Sequence, residues 1–375
     1  MPLRVPLRMS LRIRFLAYML LATQQACAQD VRIGVLGLFR PHEITVKTAP
    51  GQALIIQTKT VQGGEKSFTL ERSSGRGTAE ITASGDGLIV QSGNQSLRIS
   101  ELRASSRGNG TAEFALAIPG KMSRRYRGML EVKALAGILV PVVQMNLETA
   151  VASVVQAESA PDAPLEAMQA QAVATRSYLV ASRGRHRDFD FCDTTHCQFL
   201  REPPSPESNA SRATVATRGL VLAYRDHAVA AMFTRSCGGR TRTPQEVGLS
   251  SRGYPYFSAV CDYCLRHPSH WVRHLAQAEA TGIDLPEPRE TFRLDIDRRL
   301  GWDAVPSNNY IAHRDPKGVV LDGTGEGHGI GLCQAGAKAM AESGATFREI
   351  LDHYYPNTTL VNSQVAAERS SAMVR

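Results

Sequence analysis

Residues 154–158 read VVQAE and set a single carboxylate in line with an apolar helix face. Val151, Val154, Val155 and Glu158 fall at i, i+3, i+4 and i+7, so they share one side of a helix. A carboxyl on such a face is at least partly withdrawn from water, which raises its pKa. A Glu lifted toward neutrality can hold a proton and give it to a leaving oxygen. The helical pattern breaks at once in SAPDAP, so Glu158 stands at a helix end where a cleft can reach it. The plainer reading is a Glu that rotates out into solvent at the last turn. A second anomaly follows, because Arg176 lies in one stripe with Leu165, Met168, Ala172 and Leu179. A guanidinium there asks for a carboxylate, or for an anionic or sugar ligand. Snorkelling to the surface is the alternative.

The segment HRDFDFCDTTHCQ crowds His186, Cys192, His196 and Cys197 together, and thiolate with imidazole is a zinc-type ligand set. A Cys192–Cys197 disulfide is the competing reading in an oxidising compartment. A rival cluster in CDYCLRHPSHW spaces Cys261, Cys264, His267 and His270 by threes. It reads as a second metal site, as a redox pair, or as cysteines that pair elsewhere, for example with Cys237. Two glycine-rich loops complete the set. SCGGRT puts Ser236 near Gly238 and Gly239, and GEGHGIGLCQAGA puts His328 between glycines that let backbone approach a ligand closely. A hydrolase drawn from Ser236, Cys237, Cys333 and His328 lacks a supporting motif such as a nucleophile elbow, and a simple turn explains each loop as well.

These residues need elements to hold them. Val31 to about Ile118 is strand-like and rich in turns: EITVK, ALIIQT, GLIVQ, SLRIS and AEFALAI are separated by APG, GG, SGDG, SGN and RGNG. YRGMLEVKALAGILVPVVQ reads as a hairpin leading into the first strong helix, and helical periodicity holds from 147 to 183 with a break at SAPDAP. Pro164 suits the first turn of the second helix. The expected fold class is α+β. Its parts are a signal at 1–28, a β-rich region at 29–120, a mixed α/β domain at 121–361 carrying the Glu on a helix, and a flexible tail at 362–375.

Composition narrows the setting. A chain of 375 residues with 43% hydrophobic content is long enough for real cores and is not a disordered composition. Arg4, Arg8, Arg12 and Arg14 precede the apolar run FLAYMLLA and then ACA before Gln29, the pattern of an export signal cut after Ala28. A lipid anchor at Cys27 would want a large apolar residue where Gln24 stands. The run is too short to span a bilayer, and no other stretch approaches about 18 apolar residues. A soluble periplasmic or cell-wall-associated protein is therefore expected. Without the signal, 39 basic residues face 35 acidic ones, a mild excess that suits an anionic wall polymer and does not suggest a nucleic-acid groove. Six of the seven cysteines survive cleavage, with fifteen possible full disulfide pairings.

Taken in order, NLETAVASVVQAES, PLEAMQAQAVATRSY, FDFCDTTHCQ, FTRSCGGRT, GYPYFSAVCD, GEGHGIGLCQAGAKAMA and EILDHYYPNTTL resemble the SpoIID/LytB family over roughly residues 125–361. The resemblance implies lytic transglycosylase chemistry on peptidoglycan glycan strands, preferably strands stripped of stem peptides. It puts Glu158 on the family's essential Glu and Arg176 on its helix Arg. It matches CDTTHCQ to a zinc-binding loop, which favours a structural zinc held by Cys192 and Cys197 with His186 and His196. Ser236, Gly238 with its neighbour Gly239, His328 and Gln334 fall where the family lines its cleft. The LytB half of the name implies the alternative of a non-catalytic, wall-binding partner of a cell-wall amidase. A metal-dependent hydrolase is a third reading. Three departures stand out: Leu332-Cys333 replaces a usual Met-Ser, Glu326 stands where an aromatic residue is common, and CDYC is not a general family feature.

Overall fold

Alternation builds the first half of the molecule. In EITVKT the side chains of Ile44, Val46 and Thr48 turn inward while Glu43 and Lys47 face water, the period-two pattern of a half-buried strand. The computed structural model describes residues 29–60, 64–71, 77–107, 111–251, 253–279, 288–364 and 366. The expected signal segment and all but the first few residues of the expected tail lie outside them. Ten strands come first: β1 (Asp30–Gly34), β2 (Glu43–Thr48), β3 (Ala53–Thr60), β4 (Glu65–Glu71), β5 (Thr78–Ser84), β6 (Gly87–Ser92), β7 (Gln95–Ser105), β8 (Ala112–Ile118), β9 (Met122–Leu135) and β10 (Ile138–Asn146).

The pairings run β9-β8-β2-β5-β6-β7 and return from β7 to β9. That closes a six-stranded antiparallel ring and so removes the exposed edges an open sheet would leave. β3 and β4 extend the sheet from β7, and β10 and β1 extend it from β9. The long strand β9 is the hinge of this arrangement, pairing β8 along its first half and both β7 and β10 along its second. The β9–β10 hairpin turns through Ala136 and Gly137, both with positive φ, the backbone a two-residue hairpin loop requires. The boundary expected at 120/121 falls in the turn between β8 and β9, whose pairing runs to Ile118 and Met122. The sheet continues to Asn146 through β9 and β10, the hairpin read in YRGMLEVKALAGILVPVVQ.

Asn146 then caps α1 (Leu147–Glu158) by accepting the Glu148 N–H at 2.9 Å. Helix α2 (Leu165–Ala181) follows with Pro164 as its N-cap. Thirteen of the seventeen residues of α2 are buried, so it is enclosed on all sides and does not present one stripe. Met168, Ala172 and Leu179 join the barrel core, whereas Ala167, Ala170, Val173 and Ala174 join a second core. Small residues at these positions let two cores close on one helix.

The rest of the chain comprises β11 (Phe191–Cys192), α3 (Asn209–Ala216), β12 (Leu220–Tyr224), β13 (His227–Ala228), β14 (Phe233–Thr234), α4 (Asp262–Arg266), β15 (His270–Ala276), α5 (Glu290–Leu300), β16 (Tyr310–Asp315), β17 (Gly318–Thr324), β18 (Leu332–Cys333), α6 (Gln334–Glu342), α7 (Phe347–Tyr354) and β19 (Thr359–Asn362). Part of it packs around α2, through α3, β12, β13, α6 and α7. β11 adds to β1 in parallel, β14 pairs β18 in parallel, and β15-β17-β16 form a small antiparallel sheet with its own core. The observed architecture is α+β.

Arg176 sits where these parts meet and is 0% exposed. Its Nε and Nη2 donate to the two carboxylate oxygens of Glu148 at 2.9 and 2.7 Å. Its remaining N–H groups reach the carbonyls of Ala172, Leu220 and Thr214 at 3.4, 3.1 and 3.3 Å. A guanidinium has five N–H donors, and here every one is met within the protein. The interaction joins α1, α2, α3 and β12. Arg176→Met leaves Glu148 without its partner and is expected to cost about 3–5 kcal/mol of unfolding free energy, read from the urea midpoint. Adding Glu148→Leu is expected to restore part of that loss. A single-variant loss within about 0.5 kcal/mol, the range of an ordinary surface change, refutes the clamp.

Candidate active site

Helix α1 ends on Glu158 because Ser159 turns extended, at φ −75° and ψ 145°, while its N–H still bonds to the Val155 carbonyl. Val151, Val154 and Val155 are fully buried and Glu158 is partly buried. The acid is thus carried at the exit of the apolar face and does not swing free into solvent. One carboxylate oxygen accepts the Phe199 N–H at 3.0 Å. The main-chain carbonyl of Glu158 accepts the side-chain amide of Gln334 at 3.1 Å, and the same amide reaches Gln171 at 3.5 Å. Burial pushes the Glu158 carboxyl up to about 7, against the opposing pull of the Phe199 N–H and the Arg235 charge. The acid is therefore about half protonated near neutrality.

Three segments converge on it. The loop after β11 delivers Phe199. The end of β14 delivers Arg235, whose exposed guanidinium pairs with Glu326 at 3.0 Å. Helix α6 delivers Gln334, and Lys338 one turn further along pairs with Asp162 just beyond the end of α1. A depression of about 390 Å³ opens beside the last turn of α1, lined by Arg124, Gln156, Ala157, Arg201 and Glu202 among others. A larger groove of about 620 Å³ lies at Phe39, His42 and Lys121 and holds none of the expected site residues.

The other expected residues divide. Arg176 does not reach the acid: with all five N–H groups engaged, it has none left for Glu158 or for a sugar. Of the partners its place in the stripe asks for, it has the carboxylate, in Glu148, and it acts as a structural clamp. Ser236 is buried and its hydroxyl faces the Cys264 thiol at 3.5 Å. Gly238 takes φ 72° with Asn309 and Thr324 against it, and a Cβ there would come within 2.5 Å of the Asn309 amide. Gly239 faces Leu265. Both glycines are thus packing positions. His328 is partly buried, its Nδ1 accepts the Ile330 N–H at 3.0 Å, and burial holds its pKa below the usual range. A buried network adjoins it, in which Arg293 and Asn308 both bond to Glu290. Nothing in the local spelling of α5 announced that network. Phe199 was equally silent, because it acts through its backbone, and Arg235 looked like any exposed arginine.

Among the described residues all six cysteines are free thiols, so the disulfide readings fall away. The ligand atoms of His186, Cys192, His196 and Cys197 lie within 4.8 Å of one another. His186 Nε2 stands 3.3 Å from Cys197 Sγ, and His196 Nδ1 stands 3.7 Å from both sulfurs. Tetrahedral zinc with bonds of ~2.0–2.3 Å spaces its ligands by ~3.6 Å, so donor types and spacing both suit that ion. β11 anchors this loop to β1, and Asp193 accepts the Leu36 N–H at 3.2 Å and Arg124 at 3.1 Å. In the rival cluster, His267 turns back on the Tyr263 carbonyl and His270 pairs with Asp322, both exposed. Only its two cysteines point inward.

The raised Glu158 pKa carries a stability cost with a definite sign. The folded state binds the proton more tightly than the unfolded chain, so stability falls as pH rises from the model-peptide value of 4.5 to about 7. Glu158→Gln stays neutral throughout. It is expected to match the wild type near pH 4 and to exceed it by ~1–3 kcal/mol near pH 8.5 in chemical denaturation, the upper figure being trimmed for partial exposure. Equal stability at both pH values refutes the desolvated acid.

Comparison with known proteins matches residues 137–224 to the SpoIID family of stage II sporulation proteins, a span that runs from the end of the β9–β10 hairpin through α1, α2 and α3 to β12. A protein of Brachyspira hyodysenteriae is 28% identical over 269 residues, covering 63% of this chain and 72% of that one. The stage II sporulation protein D of Bacillus amyloliquefaciens is 25% identical over 265 residues, covering 57% and 74%. The amidase enhancer of Bacillus subtilis is 25% identical over 276 residues, which are 53% of this chain and 38% of that longer protein. The family match falls on the helix that ends in Glu158 and on the helix that clamps it, and with these relatives it makes the chain similar to the SpoIID family of stage II sporulation proteins.

Proposed function

We propose that the protein is an exported lytic transglycosylase that cleaves the β-1,4 bond between MurNAc and GlcNAc in peptidoglycan glycan strands, preferably peptide-stripped ones. The observation that carries this reading is Glu158: a partly buried carboxyl at a helix end, kept near pKa 7 by burial, with one backbone N–H on one oxygen. Protonated, it gives its proton to the glycosidic oxygen. Ionised, it takes a proton from the MurNAc 6-hydroxyl as that oxygen attacks C1 and closes the 1,6-anhydro ring. The substrate supplies its own nucleophile, so the second carboxylate of the two-acid glycosidases is unnecessary. A pKa near the working pH suits a group that must be acid and base in one turnover.

The Phe199 N–H favours the ionised form of Glu158 and fixes where its carboxylate points, and Gln334 holds the backbone beneath it. Arg235 and Glu326 form an ion pair at the position where the family commonly has an aromatic residue. In this proposal His186, Cys192, His196 and Cys197 hold a structural zinc. Four protein ligands close such a site, so its chemistry is cross-linking the loop rather than activating water. Cys197 lies two residues before Phe199, and the cross-link would fix the donor that aims the acid.

The amidase-enhancer relative favours one second reading, a wall-binding module that stimulates an amidase without cutting glycan. Mass spectrometry of products from peptide-free glycan strands separates the two. The wild type is expected to release anhydro ends and Glu158→Ala to release them at least ~100-fold more slowly while keeping its fold. Above pH 7 the wild-type kcat/KM is expected to fall about tenfold per pH unit, as the acid form is lost. Full activity in Glu158→Ala overturns the assignment, and glycan binding with amidase stimulation but no cleavage by the wild type establishes the second reading. Cys197→Ser is expected to lower turnover about 10–100-fold, the usual effect of loosening such a support.

A further inference from the structure

Four cysteines stand apart from the loop of His186. Cys237 follows β14, Cys261 and Cys264 bracket the first turn of α4, and Cys333 ends β18. Each is at most 2% exposed. As lone buried thiols they would be unremarkable, since a free cysteine packs like a small apolar residue. What sets them apart is convergence: segments separated by up to 96 residues bring all four sulfurs within 4.8 Å of one another. Sulfurs held at ~2.3 Å around one tetrahedral ion lie ~3.8 Å apart, and Cys264 Sγ stands 3.6 Å from Cys333 Sγ. A cluster of several irons would hold its thiolates further apart, so the spacing selects one ion.

The surroundings are those of thiolates and not of packed thiols. The N–H groups of Cys237 and Gly336 both point at Cys333 Sγ, each at 3.4 Å. The Ser236 hydroxyl stands 3.5 Å from Cys264 Sγ and the Tyr354 hydroxyl 3.7 Å from Cys261 Sγ. Donors aimed at sulfur are what orient and stabilise metal-bound thiolates. Cys333 is also the N-cap of α6, where the helix's partial positive charge favours an anion. Gly336 completes the enclosure: a Cβ there would come within 2.5 Å of Cys261 Sγ and 2.1 Å of the Tyr354 oxygen. Glycine is what lets α6 close on the sulfurs.

We infer that Cys237, Cys261, Cys264 and Cys333 form a second metal site, binding one tetrahedral thiophilic divalent ion, zinc being the type, as a closed structural centre. Binding releases the four thiol protons to solvent and leaves no open position on the ion. The centre would join the strand end bearing Arg235, whose charge acts on Glu158, to the helix start bearing Gln334, which bonds to the Glu158 carbonyl. It does not depend on the glycan reaction being right.

The test is metal content of the full chain produced with zinc, with X-ray absorption to count sulfur ligands. With both sites filled, two ions per chain with a mean of three sulfurs each are expected; with the His186 loop alone filled, one ion with two sulfurs. Cys192→Ser/Cys197→Ser, which dismantles the other loop, is expected to keep one ion with four sulfurs. Cys264→Ser is expected to lose one ion from the wild-type count, and Cys264→His, which still offers a ligand, to retain it. Should these variants not fold, the wild-type sulfur count decides alone. One ion with four sulfurs supports the site and sinks zinc at His186, and a single iron in a four-sulfur shell also supports it. An absent ion, an intact mass lowered by the four hydrogens of two disulfides, or a polynuclear cluster overturns it.

Discussion

Burying a guanidinium without water is expensive, and the fold is arranged so that Arg176 never meets that cost unaided. Its five N–H groups find two carboxylate oxygens and three carbonyls, supplied by α1, α2, α3 and β12. The Gly219 N–H adds a further bond to Glu148 at 3.3 Å. A charge so placed is satisfied in only one geometry, because removing any neighbour strands a buried donor. Helix α2 can therefore be enclosed on both sides by apolar cores and still have one register. Helix α1 is fixed by the same contact, since Glu148 lies in its first turn and Glu158 is its last residue. The position of the acid is thus set ten residues away, at the other end of a three-turn helix.

Dryness and reach pull against each other at Glu158. Deep burial would raise its pKa further but would deny it a substrate. Full exposure would return it to an ordinary carboxylate. Placing it on the last turn, behind three buried valines and ahead of an extended Ser159, gives partial burial. The single N–H from Phe199 tempers the shift instead of abolishing it, so the value settles near 7. A carboxylate bonded to several backbone donors would stay ionised at neutral pH.

Much of this was legible. The alternation of EITVKT, ALIIQT, GLIVQ, SLRIS and AEFALAI marks strands because each strand wets one face and buries the other. The register of Val151, Val154, Val155 and Glu158 marked the acid for the same reason. Closure of the barrel was not legible, because it rests on β9 pairing a second time, with β7, across the intervening β8. Nor was the partner of Arg176: the stripe shows that a guanidinium is buried, yet Glu148 lies 28 residues upstream with nothing local to link them. EKSFTLE went unread as a strand because its burial is weak, with Leu70 alone fully enclosed. For the cysteines, regular spacing by threes drew His267 and His270 into a cluster. The fold instead chose Cys237 and Cys333, because short helix α4 turns its two thiols inward and its neighbouring histidines outward.

The two sulfur-rich sets make one pattern when placed beside the acid. Phe199, which bonds to the Glu158 carboxylate, comes two residues after Cys197. Gln334, which bonds to the Glu158 carbonyl, comes one residue after Cys333. Arg235, whose charge opposes the upward pKa shift, comes two residues before Cys237. Every group that touches or tunes the acid from outside α1 is therefore spelled next to a cluster cysteine. Loops are mobile by default, and a carboxyl whose pKa is raised by burial and trimmed by one N–H and one nearby cation tolerates little movement. Cross-linking the loops at their sulfurs is a way to give loop residues the precision of helix residues. It would also give cysteines that already sit in the buried cores a second task, since apolar packing alone holds the segments together without fixing where their donors point.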